Sequence, residues 1–140
     1  MPSYPLHEYT KTLQALNPKA HAVAAITGTV IDGRGYDRAM FVLCVGDIST
    51  GGGIDAEIKQ ASTASATYAT ITSSGMTKLT DTTGDNKCVI MDVPIATATP
   101  FLKLTGTAFT AAVLAGGCVI LYNGQAIRPP SQGATETVVV

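Results

Sequence analysis

The chain has 140 residues, a net charge of −1 and a pI near 6.0; 46% of residues are hydrophobic and only 14% charged. That length is one domain, able to bury roughly 68–70% of its unfolded surface. The charge balance excludes the basic face that nucleic acid needs and a polybasic membrane contact. Ordinary soluble domains carry about 25% charged residues, so the low charge points to a subunit that lives against other protein. A neutral, Thr-rich β domain that is soluble alone is the plainer alternative.

Residues 1–20 read as an N-terminal arm. Pro2, Pro5 and Pro18 break regular structure, while Leu6, Tyr9, Leu13 and Leu16 fall at steps of three and four. The spacing predicts a short amphipathic helix over about residues 7–16, with an extended arm as the alternative. Tyr4, His7, Glu8 and Lys11 interrupt any signal-peptide apolar region. No 18-residue apolar run exists to span a membrane as a helix.

Residues 21–123 form the body. Residues 22–31 read as a strand containing Gly28, and Asp32-Gly33-Arg34-Gly35 as a turn. AMFVLCV, residues 39–45, is apolar throughout and predicts a strand buried on both faces. IDAEIK, residues 54–59, alternates: Ile54, Ala56 and Ile58 face the core while Asp55, Glu57 and Lys59 meet water. Tyr68, Thr70 and Ile71 start a short strand. Residues 76–95, MTKLTDTTGDNKCVIMDVPI, read as a hairpin around Asp81–Asn86, with Gly84 free to take a positive φ. FLKLTGTAF, residues 101–109, is a strand with a bulge expected at Gly106. Residues 111–121 form the last core strand, where Gly116-Gly117 kinks the chain or admits a close neighbour.

Residues 124–140 read as a tail. Arg128-Pro129-Pro130 forces an extended path. Val138, Val139 and Val140 are β-prone and suit addition to a neighbour's sheet edge, or stay disordered. About eight strands with Gly-rich turns predict an all-β antiparallel sandwich, jelly-roll-like, with extended arms at both ends. An immunoglobulin-like sandwich is the near competitor, but the chain has no Trp.

Groups able to carry a reaction are few. His7 and His21, the only histidines, lie near the arm, far in sequence from a frame that would hold a catalytic base. HExxH, CxxC and P-loop motifs are missing. Cys44, Cys88 and Cys118 are an odd count without metal-ligand spacing and read as buried free thiols. Asp55 and Glu57 read as a solvated face rather than a glycosidase pair. Asp81, Asp85 and Asn86 read as a turn, with Ca²⁺ binding the alternative. Asp92 is expected to pair with Arg38 or Lys103. No enzyme activity, cofactor or metal is expected.

One likeness stands on specific residues. Val45-Gly46, then Ile54–Lys59, Tyr68–Ile71, and Leu79-Thr80…Gly84-Asp85-Asn86-Lys87…Asp92-Val93 resemble small tailed-phage structural proteins encoded near the major capsid gene. The likeness covers about residues 22–121. It implies a capsid decoration, or cement, protein made in the host cytoplasm and seated on the outside of the head. There it would bind the major capsid protein, often as a homotrimer at threefold positions, and tie shell subunits together against DNA pressure. Tyr4, Leu6, Tyr9, Leu13, Leu16, Arg128, Val138, Val139 and Val140 are then the expected partner contacts. A head-fibre or tail component, and a carbohydrate-binding sandwich on the virion, remain the alternatives.

Overall fold

Side chains that point alternately inward and outward, as along residues 54–59, build a double sheet. The computed structural model describes residues 10–124. They contain ten strands: β1 (Lys11–His21), β2 (Ala24–Thr27), β3 (Ile31–Asp32), β4 (Tyr36–Ile48), β5 (Gly53–Ala61), β6 (Ala69–Thr70), β7 (Leu79–Thr80), β8 (Lys87–Pro94), β9 (Phe101–Phe109) and β10 (Val113–Gly124).

One sheet has the order β1-β10-β4-β8, the other β2-β9-β5-β6, and every pairing is antiparallel. The short β3 also pairs with β9, and the short β7 with β5. Each short pair therefore fills one strand position, and ten strands occupy eight places. The chain is a long ribbon of paired strands, β1 with β10, β2–β3 with β9, β4 with β8, and β5 with β6–β7. It is rolled so that β10 meets β4 and β9 meets β5. This is the jelly roll that the sequence predicts.

The core lies between the sheets. Phe41 and Leu43 from β4 meet Ile54 and Ile58 from β5, Leu102 and Leu104 from β9, and Val119 and Leu121 from β10, all essentially inaccessible. Each such side chain contributes roughly 1.5–3 kcal/mol by leaving water. Ile54, Ala56 and Ile58 face inward as their alternation predicts, and Glu57 and Lys59 form an ion pair on the other face at 3.3 Å.

Four local expectations are corrected. Residues 11–21 are strand, not helix or free arm, and Leu16 is 1% exposed in the core. Register shifts between Gln14 and Leu16, and between Leu16 and Lys19, put extra residues into β1. Ala15 and Leu16 consequently both turn inward, and the step of three from Leu13 to Leu16 imitates a helical period. Pro18 is tolerated because β1 is an edge strand.

Residues 76–95 are not a hairpin. β7 pairs with β5 in one sheet and β8 with β4 in the other, so the turn crosses between layers. Positive φ falls on Asn86 (54°) and not on Gly84. Gly84 is instead required for space, since a Cβ there would lie 2.4 Å from that of Leu79.

Gly106 makes no bulge. It sits in regular register between Ile26 and Ala56, where a Cβ would fall 2.0 Å from the Asp55 carbonyl oxygen. Gly116 and Gly117 do serve close approach: Pro18 packs over the first, and the Val42 carbonyl lies beside the second.

Finally, β4 is buried on one face only. Ala39, Phe41, Leu43 and Val45 are inside, while Met40 and Val42 are half-buried and Cys44 is exposed on the outer side.

Candidate interaction surface

The two outer faces of the sandwich differ in chemistry. On the six-stranded sheet the outward groups are polar or lie under a cation: the Glu57–Lys59 pair, Asp55 accepting from the Thr107 amide at 2.9 Å, the Lys103 ammonium 4.2 Å above the Tyr68 ring, and Arg34 and Lys78 over the rings of Phe101 and Phe109. On the four-stranded sheet they are largely apolar.

Register builds that apolar face row by row. Gln14, Cys118, Val42 and Ile90 stand side by side across β1, β10, β4 and β8. The next row is Thr12, Ile120, Met40 and Asp92. On the other side Gly116, Cys44 and Cys88 align. Ile90 is 63% exposed and Leu114 47%. Several apolar groups on one sheet face mark an interaction surface more often than a single exposed leucine does. A groove of about 830 Å³ runs along this face between β1, β10 and β4, bordered by Gln14, Pro18, Cys44, Leu114, Gly116 and Cys118.

A polar cluster closes one end of the patch. Arg38 Nε donates to Asp92 Oδ1 at 3.1 Å and to the Tyr122 hydroxyl oxygen at 3.0 Å, and the Tyr122 hydroxyl donates to Asp92 Oδ2. Holding its proton against Asp92, and burial after that, push the Tyr122 phenol above its usual range. Arg38 is thus the partner expected for Asp92, and Lys103 lies elsewhere over Tyr68.

The cysteines depart from expectation. Cys44 and Cys88 are exposed and Cys118 is half-buried, all on this outer face. Their strands are apolar, but their positions have outward parity.

The Asp81–Asn86 loop places its oxygens on backbone amides. Asp81 Oδ2 accepts from Gly51 at 2.9 Å and Asp85 Oδ1 from Ile48 at 2.8 Å, while the Asn86 amide donates to the Gly46 carbonyl at 3.0 Å. The loop clamps the β4–β5 connection. Asp32 and Arg34 pair within the turn before β4, and that contact holds the Asp32 carboxyl below its ordinary value. His21 is buried, with Nε2 3.2 Å from the Asn17 carbonyl oxygen. Among the described residues no group of three or more His, Cys, Asp or Glu is placed to hold a metal ion.

Of the expected partner contacts, Leu16 is core and Leu13 packs partly against it. Tyr4, Leu6, Tyr9, Arg128, Val138, Val139 and Val140 lie outside the described residues. The apolar face itself was not singled out by the sequence reading. Its signal was present in AMFVLCV, whose two parities are both apolar although only one is covered.

Comparison with solved structures finds the same fold within a viral protein. VP2 of the infectious bursal disease virus subviral particle matches with a TM-score of 0.58 over 92% of this chain, at 16% identity. A structure of the Gt strain of infectious bursal disease virus matches with a TM-score of 0.56 over 84%, at 12% identity. At such identities the likeness is one of fold. This chain spans 38% and 34% of the length of those two chains. No protein-family model and no curated protein matches the sequence.

Proposed function

We propose that this chain is a virion structural protein that decorates the outside of a capsid and cements its subunits, using the outer face of the four-stranded sheet as its contact surface. The observation that carries this reading is the apolar outer face of the four-stranded sheet: Ile90 and Leu114 are exposed there, Met40, Val42 and Ile120 are half-buried beside them, and the Arg38–Asp92 pair stands at one end. Support comes also from the likeness to tailed-phage decoration proteins and from a fold held in common with VP2 of a viral particle. The role is scaffolding rather than catalysis. Its partners are the major capsid protein and two further copies of the chain in a trimer. Residues 1–9 and 125–140, with Tyr4, Leu6, Tyr9, Arg128 and Val138–Val140, extend those contacts onto neighbours. Repetition over a symmetric shell turns individually weak contacts into avidity.

Solution mass and capsid binding test the proposal together. A trimer that co-purifies with heads at a fixed ratio to the shell subunit is expected. A monomer that never accompanies heads would favour a lone binding module. Removing residues 1–9 and, separately, 125–140 measures what each end adds to capsid occupancy while leaving β1 and β10 intact.

A further inference from the structure

Cys44 on β4 and Cys88 on β8 stand directly opposite one another in the antiparallel register. Their sulfurs lie 3.1 Å apart and share a hydrogen bond, and both residues are exposed. Opposed antiparallel residues have Cα atoms about 4.5 or 5.5 Å apart, depending on which kind of rung they occupy. Disulfides bridge Cα separations of about 4.4–6.8 Å, so the separation on either rung lies within that range. Cys118 lies on β10 opposite Val42 and faces neither of the other two across a rung. The strand being joined matters: β8 is the outer edge of its sheet and is held there through β4.

We propose that Cys44 and Cys88 form a redox-controlled lock, a dithiol in reducing surroundings and a cross-strand disulfide once a low-molecular-weight disulfide is supplied. The thiolate of one cysteine attacks a sulfur of the small disulfide, forming a mixed disulfide and releasing one small thiol. The second cysteine, as thiolate, attacks the protein-side sulfur of that mixed disulfide. The intramolecular S–S bond forms and a second small thiol leaves. Two protein thiols have lost two electrons and two protons, and the small disulfide has gained them. Sharing its proton with Cys88, and partial burial after that, raise the Cys44 thiol above its ordinary value. The raised value favours the thiol form of Cys44, as suits a structural lock better than a fast sensor. The link fastens the edge strand and restricts the unfolded chain between positions 44 and 88. It does not rest on the proposed capsid role, because it needs only this chain and an oxidant.

The test treats the full chain with oxidised glutathione, alkylates remaining thiols, and maps peptides by mass spectrometry beside a melting curve. Expected are a linked Cys44–Cys88 peptide pair, an alkylated Cys118, a loss of two hydrogen atoms in mass, and a melting temperature higher by on the order of 10 °C. Reductant breaks the link, restores the two hydrogen atoms and returns the melting temperature to its starting value. Cys88→Ser abolishes the link and the shift, while Cys118→Ser retains both. Alkylation or glutathionylation of Cys44 and Cys88 without a link, a bridge through Cys118 or between chains, or a link that leaves the melting temperature unchanged would each overturn the proposal.

Discussion

The Ser74 hydroxyl stands in for a strand beside Ile58: it accepts the Ile58 amide proton at 3.1 Å and donates to the Ile58 carbonyl at 3.0 Å. Between β6 and β7 the chain leaves the edge of β5, and this segment supplies what a continuous strand would have supplied. The Ile71 amide reaches the same Ile58 carbonyl at 2.9 Å, and the Met76 amide reaches that of Ala56 at 2.9 Å. Ser74 is buried, so Ser74→Ala leaves the Ile58 amide without its acceptor. Urea unfolding is expected to show a loss of about 1–3 kcal/mol. Ser74→Thr, which keeps the hydroxyl, should lose less unless its methyl group clashes.

Gly106 is the tightest point in the six-stranded sheet. A Cβ there would collide with the Asp55 carbonyl, a backbone atom of a paired strand that cannot swing aside. Gly106→Ala is expected to cost more than about 2 kcal/mol, since overpacking a sheet centre displaces backbone. Gly35, with φ 87° and open space around its α-carbon, sits in a turn. Gly35→Asn should cost less, about 1 kcal/mol, because only backbone strain at positive φ opposes it and Asn bears that better than most residues.

Tyr36 is buried, and its hydroxyl has no hydrogen-bond partner among the described residues. Tyr36→Phe is expected to stabilise the fold by about 1 kcal/mol by removing an unpaired polar group. Burial also raises the Tyr36 phenol above its ordinary value of 10.0. The unfolded chain ionises first as pH rises, so this contribution to stability is complete below pH 10 and drains away between pH 10 and the folded value. The variant should therefore show a shallower alkaline loss of stability than the parent.

Much of this architecture was written in local patterns. IDAEIK declared one wet face and one dry face, and both hold. What local patterns could not carry was the choice of partner. The Asp81–Asn86 turn looked like a hairpin because turn chemistry is the same whether the chain re-enters its own sheet or crosses to the other one. Leu13 and Leu16 looked helical because register shifts in β1 made a step of three out of an extended chain. AMFVLCV looked doubly buried because hydrophobicity alone does not distinguish a face covered by its own second sheet from one left open. The apolar surface, the strongest candidate site, hid inside that ambiguity.

Ile90 and Leu114 are the most exposed large apolar groups on the four-stranded sheet. Substituting each with lysine, Ile90→Lys and Leu114→Lys, removes no core contact and should change folding stability by less than about 1 kcal/mol. Association should suffer far more, because a charge buried in a desolvated contact lacks a partner. Circular dichroism should show an unchanged β spectrum, while sedimentation should show dissociation of any trimer that uses this face.

Co-sedimentation with purified heads of the proposed source virus tests the central claim most directly. The chain is expected to pellet with the heads at a fixed number of copies per shell subunit, and the Ile90→Lys/Leu114→Lys variant to stay in the supernatant while still folded. Wild-type chain that remains in the supernatant, or a variant that pellets as well as the parent, would contradict the assignment of this face to capsid binding.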